Sequence, residues 1–199
     1  MFRLSPLVKN LIIVNVLIFF TQKIVSTLPI AEYLSLWNVR TPNFRPYQLF
    51  TYMFVHSSND FLHILFNMLA LAFFGSMLEE LWGTKKFLLF YIICGLGAGI
   101  FNVFSDLFFG LGRFDVMMGA SGAVYGVLTA FGVTFPNMEI RLMFLFKVKA
   151  IYLVMFLGIS AILMGFRNVP GDQTAHFTHL GGIVTAIIIM QVWKFRGVD

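Results

Sequence analysis

Apolar stretches that approach the length of a bilayer crossing recur along the whole of this sequence, and they restrict its fold more than any other feature. A membrane helix needs roughly 20 consecutive apolar residues. Runs of about that length fall at about 8–27, 61–81, 87–109, 118–135, 150–166 and 177–194. A transmembrane β-barrel would instead show short segments of alternating polarity. The expected fold is an all-α membrane protein, with one transmembrane domain of six helices across residues 1–199. Only 12% of the residues are charged, against roughly 25% in soluble domains, and the mean hydropathy is +0.86. No separate soluble domain is expected. Lys147 and Lys149 stand at the entrance of the run at 150–166.

Arg3 and Lys9 precede the apolar core of the first run, which has the look of a signal peptide. It lacks a small-residue cleavage site and further spans follow it, so it reads as the first transmembrane helix. Between the first two spans lies a long outer loop, about 28–60, in which Pro29, Pro42 and Pro46 argue against one continuous helix. Short interfacial helices fit there. The net charge of +5 suits lysines and arginines held in cytoplasmic loops beside membrane lipid, and no arginine-rich tract points to nucleic acid. Cys94 is the single cysteine, so neither a disulfide framework nor a thiolate metal cluster is available.

The bias of positive residues sets the orientation. With the N-terminus inside, Arg3, Lys9, Lys85, Lys86, Arg141, Lys147, Lys149, Lys194 and Arg196 are cytoplasmic. Lys23, Arg40, Arg45, Arg113 and Arg167 are then outside, so both termini are expected in the cytoplasm. Spans two, four and six all run inward in this topology. Their outer ends carry His63 and Asn67, Ser121, and His176 and His179, respectively. Polar side chains within membrane spans are costly and usually face a partner or a water-filled cavity. Their convergence at one depth is the strongest functional clue in the sequence.

Ser121 lies in "MMGASGAVYG". A serine hydroxyl attacks only when a nearby base takes its proton. At a helix N-terminus it would sit among unpaired backbone N–H groups and the positive end of the helix dipole. Gly119 and Gly122 would let a substrate backbone approach. Gly122 and Gly126 also form a G-x-x-x-G pair, a common helix-packing device in membranes, and the motif alone favours packing. A base is offered by "TAHFTHLGG", where His176 and His179 are one turn apart and Gly181, Gly182 and Ala186 make a small face. Tight packing of spans four and six would bring His179 towards Ser121, with Tyr125 on the same face as the serine. His63 and Asn67, spaced i, i+4, suit oxyanion stabilisation, although interhelical hydrogen bonding would also explain them. His56 reads as holding the loop or binding water.

Metal chemistry is the main competitor. His56, His63, His176 and His179 could supply zinc ligands, but no H-E-x-x-H helix is present and Asp60 and Asp172, the nearest acids, lie in loops. Glu79 and Glu80, at the inner end of span two, look structural. No metal and no cofactor is expected.

Taken in order, "FRPYQLFTYMFVH", "HILFNM", "GSMLEELWG", "GASGAVYG" and "AHFTHLGG" resemble the rhomboid intramembrane serine proteases in their minimal six-helix, prokaryotic-type form. The likeness covers the chain from about residue 44 onward. It implies a rhomboid-like bundle in which Ser121 is the nucleophile and His179 its general base, without a third acid. It also implies that His63, Asn67 and backbone N–H groups near Ser121, that of Ala120 among them, hold the oxyanion. Tyr125 would pack against His179, and the substrates would be segments in or near the transmembrane helices of other membrane proteins. The alternative is a catalytically silent member of the same fold that binds transmembrane clients, against which the presence of both Ser121 and His179 argues. A bacterial cytoplasmic membrane is the expected location, with the site in its outer half. The chain departs from the family in the wider spacing of His56 and His63, in Tyr47-Gln48 where tryptophan–arginine is common, and in Ala186 where glycine is common.

Overall fold

The computed structural model describes residues 3–25, 27–109, 116–142, 146–166 and 176–195. Arg113, Arg167, Asp172 and Arg196, and the first two residues of "TAHFTHLGG", lie outside the described residues. The first helix, α1 (Pro6–Ile24), begins with proline at a position where its missing N–H costs nothing. Its N-terminus is capped from a distance. The Glu79 carboxylate accepts Leu7 N at 3.0 Å and Val8 N at 2.9 Å, and it also takes the hydroxyls of Ser5 and Thr84.

The segment after α1 is organised around one buried side chain. It holds α2 (Ile30–Leu34), the two-residue strand β1 (Leu36–Trp37), α3 (Gln48–Thr51) and a 3-10 turn at Tyr52–Phe54. Gln48, 1% exposed, accepts Trp37 N and Arg45 N and donates to the carbonyls of Tyr33 and Asn43. Asn38 and Arg40 reach across to Asp106 near the end of a later helix, α6 (Thr84–Phe109), and Arg40 also donates to the Asp106 and Leu107 carbonyls. These contacts supply partners to a helix end that would otherwise leave carbonyls unpaired.

The second long helix has three parts: α4 (Phe61–Ala70), a π turn at Leu71–Gly75, and α5 (Ser76–Trp82). Asp60 caps α4 by accepting His63 N. The π turn sets a register. Asn67 and Glu79 are twelve positions apart, which on a regular helix turns them about 120° from one another. A π turn takes up one extra residue, which reduces this to about 20°. Both side chains are accordingly buried. The chain reverses at Gly83, whose φ of 80° suits glycine, and enters α6.

Next come β2 (Val116–Met117), α7 (Ser121–Thr134), the strands β3 (Glu139–Leu142) and β4 (Phe146–Lys149), α8 (Ala150–Phe166) and α9 (His176–Phe195). Ten of the fourteen residues of α7 are buried, because α6, α8, α9 and the α4–α5 helix pack around it. Among the described residues, four helices are long and apolar enough to cross a membrane: Pro6–Ile24, Phe61–Trp82, Thr84–Phe108 and His176–Lys194. At fourteen and seventeen residues, α7 and α8 are shorter.

Two short strand pairs join the helices of this all-α bundle. β1 pairs antiparallel with β2 (Leu36 with Met117, Trp37 with Val116), and β3 pairs with β4 from Glu139–Lys149 to Leu142–Phe146. The hairpin alternates polar and apolar residues, a period-2 signal that is hidden when hydropathy is averaged over a membrane-length window. Lys147 pairs with Glu139 there at 2.9 Å. The expected span 118–135 begins as helix only at Ser121, because β2 and Gly119 hold the preceding residues extended or turned.

At the opposite end of the bundle, Trp82 and Trp193 meet edge to face at 5.5 Å, and the Lys86 ammonium stands 4.7 Å from the Trp193 ring. Such aromatic clusters suit a membrane–water interface.

Candidate active site

The start of α7 is fixed by Gly119. Its φ of 124° is a conformation that side chains rarely adopt, and its N–H donates to the Tyr52 carbonyl at 3.0 Å. Together with the β1–β2 pair, this bond anchors the strand-to-helix turn, and Ser121 follows as the first helical residue.

His179 comes from the first turn of α9. Its Nε2 lies 2.9 Å from Ser121 Oγ, a hydrogen-bond distance. The Tyr125 ring stacks on the imidazole, with centroids 4.1 Å apart and planes within 6°. His176 meets His179 edge to face at 6.1 Å.

The approach of α9 to α7 depends on residues without side chains. A Cβ on Gly182 would overlap the Gly122 carbonyl oxygen. Both helices also lie close to α6: a Cβ on Gly126 would stand 2.7 Å from Cys94 Sγ, and one on Gly181 would stand 2.6 Å from Phe101 Cβ. Ala186, further along α9, is fully buried. The same geometry shows what lies beside Gly119 and Gly122. The open face of Gly119 is covered by the His63 imidazole, 2.8 Å from where a Cβ would stand, and that of Gly122 by Ala98, Thr178 and Tyr52.

On α4, Asn67 is 6% exposed, and its amide donates to the His63 carbonyl at 2.9 Å. The same nitrogen lies 3.5 Å from His56 Nε2. His56 is the residue that sequence reasoning missed. It is fully buried at the site and its Nε2 accepts the Ala120 N–H at 3.3 Å, so that donor is already engaged. Its ring meets that of His63 at 5.2 Å. A signal was present: all four histidines of the chain fall at segment ends assigned to one side of the membrane. Tyr52, 1% exposed, is a second missed residue, with its carbonyl on Gly119 and its hydroxyl on the Gly95 carbonyl at 2.7 Å. Among the described residues, no three His, Cys, Asp or Glu side chains are grouped as metal ligands.

A base hydrogen-bonded to a serine hydroxyl at a helix N-terminus, with its ring held flat by an aromatic neighbour, is an arrangement able to activate a nucleophile. Comparison with known proteins gives this geometry its context. Residues 43–194 match the family model of the Rhomboid domain. The chain is similar to RHOMBOID-like protein 4 of Arabidopsis thaliana, with 33% identity over 68% of this chain and 31% of that protein. It is also similar to Rhomboid protein 1, mitochondrial, of Saccharomyces cerevisiae (30% over 66% of this chain and 38% of that protein). With Rhomboid protease GlpG of Haemophilus influenzae the identity is 29% over 71% of this chain and 64% of that protein. The chain thus spans less than two thirds of the length of each of these curated relatives. The apolar helices and the family support an integral membrane protein, and relatives from plant, yeast mitochondrial and bacterial sources do not single out the bacterial inner membrane. The ordered motifs, the helical bundle and the match over residues 43–194 lead to one conclusion: this chain belongs to the rhomboid family.

Proposed function

We propose that the chain is an intramembrane serine endopeptidase that hydrolyses peptide bonds in or beside the transmembrane segments of other membrane proteins. The observation that carries this reading is the 2.9 Å contact between His179 Nε2 and Ser121 Oγ. In the proposed reaction Ser121 Oγ attacks the scissile carbonyl carbon while His179 Nε2 takes the hydroxyl proton. The tetrahedral oxyanion is held by donors at the start of α7 and on α4. His179 then returns the proton to the leaving amine, and the C–N bond breaks. Water, deprotonated by His179, releases the acyl group and restores Ser121. Asn67 and the Ala120 N–H are the proposed oxyanion donors, with His63 beside them, and Tyr125 holds the plane of the imidazole.

Helix length supports a site set below the outer surface. Fourteen residues of α7 rise about 21 Å, short of the ~30 Å hydrocarbon core. In a six-span arrangement with both termini cytoplasmic, Ser121 stands below the outer surface, where only a locally unwound substrate helix presents its amide. The test is direct. A fluorophosphonate probe in detergent labels the wild-type protein and not Ser121→Ala, and only the wild type cleaves transmembrane substrates. Absence of both labelling and cleavage by the wild type, across a panel of such substrates, overturns the proposal.

A further inference from the structure

The proposed reaction leaves His56 without a part, yet it is the most deeply buried of the polar side chains grouped around Ser121. Its Nε2 receives the Ala120 N–H at 3.3 Å and lies 3.5 Å from the Asn67 amide nitrogen. A backbone N–H can only donate, so Nε2 carries a lone pair and the ring is neutral, with its proton on Nδ1. Burial favours that state and pushes the imidazole pKa down to about 3. Nδ1 is buried without a hydrogen-bond partner of good geometry. The His56 carbonyl accepts Gln22 Nε2 from α1 at 3.3 Å. His56 therefore connects α1, α4 and the start of α7 at the point where two proposed oxyanion donors meet.

We infer that His56 is a positioning residue whose Nε2 keeps the Ala120 N–H and the Asn67 amide aimed at one place until the oxyanion takes them over. This rests on the proteolytic reading above. Both contacts are longer than the usual N–H hydrogen bond, so the donors are oriented without being strongly held. Asn67 has a second, shorter bond to the His63 carbonyl at 2.9 Å, and that bond keeps the side chain on α4 while the longer one is exchanged. The preorganisation of donors is what makes such sites effective. An apolar residue at position 56 would leave both donors without their common acceptor.

The test uses full-length protein in detergent and compares His56→Leu with His56→Gln, which restores an acceptor. His56→Leu is expected to lower kcat and the fluorophosphonate labelling rate together by about tenfold or more, with KM nearly unchanged, and His56→Gln to recover most of the loss. Asn67→Ala, damaging in the wild type, should add less than about twofold on top of His56→Leu, because the two act as one unit. Wild-type kcat in His56→Leu overturns the inference. So do equal losses in the Leu and Gln variants combined with an additive Asn67 effect, which is the signature of a merely structural residue. If His56→Leu does not fold, the Gln variant decides: kcat within about threefold of wild type supports the inference and a loss beyond about tenfold overturns it. If the wild type neither labels nor cleaves, the proteolytic reading itself has failed. If it does both and His56→Leu matches it, only the role of His56 has failed.

Discussion

Replacing Gly182 by alanine exchanges one Cα hydrogen for a methyl group at the closest approach of α9 to α7. That carbon would overlap the Gly122 carbonyl oxygen and stand 2.9 Å from the carbonyl carbon and 3.4 Å from Gly126 N. All of these are backbone atoms of a buried helix, so no side chain can rotate away. Carbon atoms are at their optimal separation near ~3.5–4.0 Å, so the helices must part by at least ~0.6 Å to relieve the carbon contact, and by on the order of 1 Å once the oxygen is cleared. His179 lies less than a turn from Gly182, and Ser121 is the neighbour of Gly122. Their 2.9 Å contact then passes beyond hydrogen-bond range. Overpacking of this kind costs about 1–3 kcal/mol of stability, and a misplacement of about 1 Å at a reacting pair costs about 10²-fold in rate. The assay is the rate of fluorophosphonate labelling and of substrate cleavage by purified protein, beside its thermal transition in detergent. Gly158→Ala on α8 is the matched control. Its added Cβ meets only Ile183 Cδ1, at an ordinary 3.7 Å, and alanine in a helix is favoured over glycine by about 0.5–1 kcal/mol. One chemical change is thus expected to lower the melting temperature at one site and raise it at the other. A Gly182→Ala protein that labels within about threefold of wild type refutes the claim that close backbone contact builds the Ser121–His179 pair.

Two further outcomes follow from the same geometry. Tyr125→Phe keeps the stacked ring and should hold kcat within about twofold of wild type, whereas Tyr125→Leu loses a contact worth about 0.5–1.5 kcal/mol and should lower kcat by about threefold to tenfold; equal losses in both variants would assign the role to the hydroxyl instead. His56 also predicts sensitivity to acid. Burial, then the neighbouring His63, lowers its pKa from 6.5 to about 3, against an opposing pull from the Phe54 carbonyl. Below pH 6.5 the unfolded chain takes up a proton that the folded chain refuses until about pH 3, so the stability held above 6.5 is lost progressively across that window. Melting temperatures between about pH 7 and about pH 4 should fall more steeply in the wild type than in His56→Gln, and parallel slopes would contradict the buried neutral imidazole.

Much was legible in the amino-acid sequence because hydropathy and charge are local properties. The apolar runs dictate a helical membrane protein, and the placement of Ser121, His179, His63 and Asn67 at matching ends of alternate spans follows from counting crossings. Gly181 and Gly182 signal a close helix contact because small residues have few other uses in a span. Other decisions belong to tertiary structure alone. The π turn at Leu71–Gly75 has no composition of its own that marks it in the sequence, and it brings Asn67 and Glu79 to nearly the same face. The β1–β2 pair joins residues some eighty positions apart, and no window of sequence contains both. His56 looked like a loop histidine because burial depends on what the rest of the chain places over it. What lies against the glycines beside Ser121 is His63, Ala98 and Thr178. Sequence by itself determined which residues fall at corresponding ends of alternate apolar runs, because that follows from position along the chain. Which of them touch, and through which atoms, was decided by packing, because contact depends on rotation about each helix axis and on the separation between axes.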